Sequence, residues 1–391
     1  MIGAKDLAEL LLDLEPIGRS ERGTTRLAWT SEDEATGAWF ERAASDSGLR
    51  TERDPAGNRW ALPEAPGPWW AVASHLDSVR EGGRFDGALG VVCGFAIARR
   101  SPVPLAVIAF ADEEGARYNT PTFGSRALVG ALDVEDVLSR VDADGVTLGD
   151  AMRGAGVNPR GLDGAPAWLD RLRGVIELHI DQSREVAGLA VSCAPVLGLA
   201  ARMRVEVDLS GAADHAGTTP RGERRDALLA AARLIVRADE LAGPEMVSTA
   251  GRILAEPNAP TTVASRVRLW LDARAPQPEQ LDAWWEGLEV ATRDLEATTG
   301  VAVRASVASL NRGITFDETV RGALSSAATR AAPEIVCFAG HDAGVIAQRR
   351  PAGMVLIRNA AGVSHAPGEH VDLEDAAAAA RVVEAALEAL V

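Results

Sequence analysis

Residues 69–77, WWAVASHLD, form a run of apolar and small residues that stops abruptly at a histidine and an aspartate. A run without polar alternation fits a strand buried on both faces, as in a parallel sheet covered by helices. Two more runs repeat the design. PLAVIAFA at 104–111 leads into Asp112-Glu113-Glu114-Gly115, and VIELHI at 175–180 carries Glu177 and His179 into Asp181-Gln182. A fourth, at 353–357, precedes GVSHAPGEH. Open α/β sheets bind ligands at the carboxyl ends of their strands. His-x-Asp, Asp-Glu-Glu and His-x-Asp-Gln are therefore expected to converge on one site. The stretch 86–100, rich in glycine, alanine and apolar residues, predicts a helix that starts near Gly82-Gly83.

The pattern changes near residue 199. Residues 201–209 alternate as a strand, 225–241 predict a helix, 266–273 alternate again, 279–298 predict a long helix, and 301–309 close with a strand. With 391 residues the chain exceeds one ordinary core. The expected fold is α/β: a catalytic domain, 1–199 and 318–391, with a central, mostly parallel sheet, interrupted by a smaller α+β domain at 200–317. A final alanine-rich helix is expected over 373–390.

Composition narrows the function. A formal net charge of −16 repels phosphate backbones, so nucleic acid is not an expected partner. No apolar run reaches membrane-spanning length. The amphipathic, acid-bearing N-terminus lacks the basic and apolar regions of a secretory signal. Cys93, Cys193 and Cys337 are widely spaced and form no CxxC. That argues against a disulfide framework or a thiolate zinc site and for a reducing cytoplasm. The paired tryptophans 69–70 and 284–285 fit packing, Asn58 in DPAGN fits a turn, Cys93 the core, and His370 the surface.

The candidate chemistry rests on His75, Asp86, Glu114, His179 and His365. Neutral imidazoles and carboxylates suit Zn²⁺ or Mn²⁺, and Asp86 could bridge two ions. Asp77 is placed to orient His75 through its second ring nitrogen. Glu113 and Glu114, adjacent at a strand end, repel each other unless a cation or proton lies between them. One could bind metal while the other acts as general base. Taken singly, each residue also fits a plainer role: a hydrogen-bonded histidine, an acid at a helix start, a solvated acidic turn. His215, in GAADHAGTTP inside the insert, could polarise a carbonyl or stabilise an oxyanion. Arg274, ending RVRLWLDAR, could grip a carboxylate through both arms, although a surface ion pair is the simpler reading of the residue by itself.

As a set, TRLAWTSED, DPAGN, ASHLDSV, GGRFDGALGV, FADEEGARY, ELHIDQ, GAADHAGTTP, LDAR, AGHDA and GVSHAPGE resemble the hydantoinase/carbamoylase-type amidohydrolases. This group includes N-carbamoyl-L-amino-acid hydrolases, allantoate amidohydrolases and β-ureidopropionases. The motifs run in order along nearly the whole chain. The resemblance implies two divalent ions per subunit, Zn²⁺ or Mn²⁺ with Co²⁺ and Ni²⁺ as further candidates. It implies His75, Asp86 and His179 on one ion, and Asp86, Glu114 and His365 on the other. Glu113 would be the general base, taking a proton from the attacking water and passing it to the leaving nitrogen. The smaller domain would serve dimerisation, with His215 reaching across a homodimer to the partner's oxyanion. Gln182 and Arg274 match substrate-contacting positions, Arg274 on the substrate carboxylate.

Two departures fall in substrate-contacting stretches. Thr261 stands where the family usually has asparagine, and Ser183-Arg184 replaces Gly-Pro after the HIDQ histidine. A hydroxyl keeps one hydrogen bond but loses the amide's second group. The expected activity is hydrolysis of a C–N bond in an N-carbamoyl (ureido) carboxylic acid, releasing ammonia and carbon dioxide. Two alternatives stand beside it: aminoacylase or dipeptidase-like cleavage of an N-acyl amino acid, and a non-catalytic, metal-stabilised binding protein.

Overall fold

A computed structural model describes residues 1–328 and 332–391. The chain divides into two compact units. The first comprises Met1–Leu197, Thr315–Ile335 and Ala339–Val391; the second comprises Gly198–Ile314 and Val336–Phe338.

The strand Trp69–His75, in the first unit, sits at the middle of a sheet that has nine strands among the described residues. It runs parallel to Leu105–Phe110 on one side and to Leu172–Ile180 on the other, and Ala352–Ile357 continues the parallel set. All of its residues are buried, as the unbroken apolar run predicts. Both edges turn antiparallel. Arg59–Leu62 and Arg50–Arg53 form a hairpin outside Leu105–Phe110, and Cys193–Leu199 lies outside Ala352–Ile357. The reason for the hairpin is length: the short connection through DPAGN can join only antiparallel neighbours, whereas a parallel pair needs a crossover of about a dozen residues.

Helices cover both faces. Ala88–Ala98 carries buried residues all round, so it is a core helix with no water-facing stripe. It packs with Ala4–Leu14 and Leu373–Leu390 in one core. Trp60, Trp69, Phe123 and Leu162 belong to the core on the opposite side. The helices Val134–Ser139 and Leu148–Gly154 carry no expectation from the sequence because they are too short to show a period, and the 3₁₀ segment Pro159–Arg171, with Pro166 inside it, does not follow the 3.6-residue period.

The second unit is a four-stranded antiparallel sheet ordered Val247–Glu256, Arg266–Ala275, Ala201–Ser210, Ala302–Asn311. The helices Ala227–Ala242 and Pro278–Thr299 share a core with these strands, and Trp284 is buried in it. Ala201–Ser210 alternates buried and less buried residues along its length. One correction is needed: the expected β-α-β-α-β order gains the strand Val247–Glu256. Its residues are mostly exposed, and its register shifts between Ala250 and Arg252. Neither a buried run nor a clean alternation marks such an edge in the sequence. Among the described residues, no helix is long and apolar enough to cross a membrane.

Candidate metal centre

His75 closes its strand, and His179 lies one residue from the end of the neighbouring parallel strand. Parallel pairing therefore brings both imidazoles to one end of the sheet, their rings stacked with centroids 5.6 Å apart. Between them in space stands Asp86. The helix begins only at Ala88, so Asp86 sits in the preceding turn and not within the expected helix 86–100. Gly87 adopts φ +65°, and a Cβ there would lie 2.4 Å from the His75 ring. Only glycine lets the turn close this tightly.

The distances define two groups that share Asp86. Asp86 Oδ1 lies 2.9 Å from His179 Nε2 and 3.5 Å from His75 Nε2. Asp86 Oδ2 lies 3.4 Å from His365 Nε2, and Glu114 Oε2 lies 3.3 Å from that same nitrogen. In each group, His75–Asp86–His179 and Asp86–Glu114–His365, the ligand atoms all fall within 4.8 Å of one another. Glu113 Oε2 is 3.8 Å from His75 Nε2. Gln182 Nε2 donates to Asp86 Oδ2 at 2.9 Å, beside His365.

The electrostatics call for cations. Asp77, Asp86, Asp112, Glu113, Glu177, Asp342 and Glu369 are all buried. Asp77, Glu177, Asp342 and Glu369 accept hydrogen bonds from amides or a hydroxyl, but a buried carboxylate with no such offset costs several kcal/mol. Burial is the largest cause that pushes Glu113 well above the usual carboxylate range. Burial, and next the Asp86 carboxylate, push Glu114 up to about 7. Burial works against charge on Asp86 too, yet the facing His179, His365 and His75 hold it well below that range. Among the described residues, His75 Nε2 and a Glu114 carboxylate oxygen are buried without a hydrogen-bond partner. Orphaned ligand atoms, converging carboxylates and imidazole nitrogens together fit a pair of divalent cations.

The second ring nitrogens agree. His75 Nδ1 lies 3.0 Å from the Asp77 carbonyl and His179 Nδ1 2.9 Å from the Ile180 carbonyl. Each Nδ1–H donates to its carbonyl, which leaves the Nε2 lone pair for the site. Asp77 thus meets the second ring nitrogen of His75, chiefly through its backbone carbonyl, with its carboxylate Oδ1 3.6 Å from that nitrogen; the carboxylate also accepts the Glu113 and Glu114 amides, both at 3.1 Å. Asn58 also does more than turn the chain. Fully buried, it accepts the Ala111 N–H at 2.9 Å and donates to Asp54 and the Gly124 carbonyl. It thus pins the strand end that presents Glu113 and Glu114.

Residues 61–389 match peptidase family M20/M25/M40. The chain belongs to this M20 family. Its curated relatives include an N-carbamoyl-L-amino acid amidohydrolase from Geobacillus stearothermophilus, 33% identical over 98% of this chain and 97% of the relative. An allantoate amidohydrolase from Bacillus subtilis is 28% identical over 90% of this chain and 89% of its own length. Among solved structures, a hydantoinase/carbamoylase-family amidase from Burkholderia multivorans superposes with a TM-score of 0.88 at 29% identity, covering 99% of this chain and 97% of that one. These place the chain in the hydantoinase/carbamoylase branch of M20, as the ordered motifs imply.

In this M20 protein three candidate residues belong to the second unit. His215 is exposed, and its Nδ1 accepts the Gly217 and Thr218 amides at 3.0 and 3.1 Å. That assigns the neutral ring's proton to Nε2, leaving a donor pointing outward. Thr261 lies beside it: the Thr261 carbonyl accepts the Ala216 amide, and Thr262 bridges to His215. Arg274 is engaged with its own unit, donating to Asp272 at 2.9 Å and to the Phe338 carbonyl at 2.6 Å. The simpler ion-pair reading therefore describes its contacts.

Several residues of the first unit take part in the site without a role that their sequence context assigns. Ser364 and Glu369 bind the Asp86 turn. His341 lies against His179, ring centroids 4.3 Å apart, with Glu177 at 3.9 Å. Their signals were present in GVSHAPGE and AGHDA, but as undifferentiated family motifs and not as assigned roles. His370 is exposed and Cys93 fully buried, as expected.

Proposed function

We propose that this protein is a binuclear metal-dependent amidohydrolase acting on the C–N bond of an N-carbamoyl (ureido) compound that bears a carboxylate. The observation that carries this reading is the pair of ligand groups sharing Asp86, in a chain one-third identical to a carbamoyl amino acid amidohydrolase along almost its whole length. His75, Asp86 and His179 would hold one ion and Asp86, Glu114 and His365 the other, with Zn²⁺ or Mn²⁺ favoured by the donor set. When bound, two such ions supply Lewis acidity toward the substrate carbonyl and the attacking water.

The chain's own groups do the rest. A Glu113 carboxylate oxygen takes a proton from water as its oxygen bonds to the ureido carbon. The C–N bond then breaks, and Glu113 returns the proton to the leaving nitrogen. The products are the free amine and carbamic acid, which falls apart to ammonia and carbon dioxide. Glu113 Oε2 stands 3.8 Å from His75 Nε2, at the edge of the ligand set where the proton must be held between these steps. Gln182, on Asp86, stands at the edge of the ligand set where a substrate would meet it. Residues 200–317 act as a lid and dimerisation domain of a cytoplasmic homodimer. The outward Nε2–H of His215 serves as oxyanion donor to the partner's site, with Arg274 and Thr261 on the substrate.

Purified protein loaded with Mn²⁺ or Zn²⁺ tests this on a panel of ureido acids and N-acyl amino acids, with ammonia detection. Ammonia from the ureido acids is the expected result. Turnover of N-acyl substrates without ammonia would move the activity to an aminoacylase. No turnover on either set favours the non-catalytic reading.

A further inference from the structure

Asp86 is the one residue common to both ligand groups. Its oxygens divide the work, Oδ1 toward His75 and His179, Oδ2 toward His365. A carboxylate shares two ions only if both its backbone and its plane are held. The structure shows what holds them. Glu369 Oε1 accepts the Phe85 amide at 2.8 Å and the Asp86 amide at 3.0 Å. The Ser364 hydroxyl donates to Asp86 Oδ2 at 2.8 Å and lies 3.4 Å from Glu369 Oε2. Glu369 is 4% exposed and makes no ion pair among the described residues. Its direct partners are backbone amides and a hydroxyl, so it serves as a hydrogen-bonding strut. Gly83 leaves it room, since a Cβ there would stand 2.1 Å from the Glu369 carboxyl carbon.

The strut and a ligand share one turn. His365 lies between Ser364 and Glu369 and adopts φ +55°, a left-handed conformation that costs a non-glycine residue about 1–2 kcal/mol. Other contacts fix the same loop. Asn359 donates to the Val363 carbonyl and accepts the Gly362 amide, and Arg184 donates to the Ala361 carbonyl. Docking this loop therefore delivers His365 and locks Asp86 together. By contrast, His75 and His179 are fixed by strands and do not depend on it.

We infer that Glu369 is a positioning residue that makes Asp86 a bridging ligand, and that it governs the Asp86–Glu114–His365 group far more than the His75–Asp86–His179 group. The inference rests on the two-ion reading given under Proposed function.

The test is a Mn²⁺ titration of metal-stripped full-length protein, by calorimetry and by electron paramagnetic resonance, which separates a spin-coupled Mn pair from isolated ions. Wild type is expected to bind two ions and give the coupled signal. Glu369→Ala should keep the first ion and lose about 10–100-fold in affinity for the second, with isolated-ion spectra where wild type shows coupling. Two further variants separate position from charge and cover the case in which the alanine variant does not fold. Glu369→Gln keeps an oxygen in place for both amides and should restore the second ion and the coupling. Glu369→Asp keeps the charge but withdraws the oxygen by one methylene, and should lose the second ion. Wild-type second-site affinity in Glu369→Ala, or in Glu369→Asp where the alanine variant does not fold, overturns the inference. So does an aspartate variant that binds the second ion better than the glutamine variant. A wild type that binds fewer than two ions overturns instead the two-ion reading on which the inference stands.

Discussion

The two units build their candidate residues in opposite ways. In the first, the sheet is parallel at its centre and buried on both faces, and His75, His179 and Glu113-Glu114 emerge at the ends of neighbouring strands. Each is wedged by backbone carbonyls, amides or buried side chains, and little there can move without disturbing the core. In the second, the sheet is antiparallel, and His215 and Thr261 sit on exposed connections held by local backbone bonds. Buried donors that converge on one point suit a cation, which demands a fixed ligand geometry. An exposed donor on a local turn suits a group that meets a substrate only at the moment of reaction. Changes to the candidate ligands of the first unit should therefore cost metal, stability or both, and changes in the second should cost rate or substrate affinity with metal and stability intact.

The largest effect is expected from His179→Ala, which removes a fully buried candidate ligand from the strand-held group. Activity should fall to background, with ions lost from purified protein by elemental analysis. Retention of both ions would break the assignment of this group. Next comes Glu113→Gln. Turnover should drop by about 10²–10⁴-fold with metal content unchanged, the signature of a general base. If metal leaves instead, the roles of Glu113 and Glu114 are exchanged.

His215→Ala probes the other unit. A loss of about 10²–10³-fold in kcat is expected, typical of an oxyanion donor, with Tm and metal content as in wild type. Mixing it with Glu113→Gln and allowing subunits to exchange should recover some activity, because one of the two sites in a hybrid dimer is then intact. No recovery in hybrids verified by mass would count against action across subunits. A fall in metal content with His215→Ala would erase the contrast between the units.

Smaller effects test substrate contact. Arg274→Lys keeps charge but loses the planar fork. A charge-assisted hydrogen bond contributes about 1.5–3 kcal/mol, so KM should rise roughly tenfold or more with kcat nearly constant. An unchanged KM would leave Arg274 to its ion pair with Asp272. Thr261→Ala should be mildest, within about tenfold in kcat/KM, as fits one neutral hydrogen bond at an exposed position.

Much of the centre was legible from the chain alone. Unbroken apolar runs marked the central strands because a strand buried on both faces has no polar side to show. Polar residues clustered where each run ended, and a parallel sheet must bring those ends together. The ordered motifs carried the family. What the chain did not disclose depends on contacts between distant segments. Val247–Glu256 escaped notice because an exposed edge strand is constrained by pairing and not by burial. The work of Asn58, tied to Ala111, and of Asp77, tied to Glu113 and Glu114, is set by backbone groups that no side-chain pattern reports.

Residue order thus determined which side chains could serve as metal ligands and at which strand ends they would emerge. Only the tertiary structure decided how Asp86 is held between the two ligand groups. It is fixed by Glu369 from 283 positions along the chain, through amide hydrogen bonds. Periodicity is a local property and records which face a residue turns to the core. A hydrogen bond between remote loops leaves no period, and it exists only once the fold has brought both loops together.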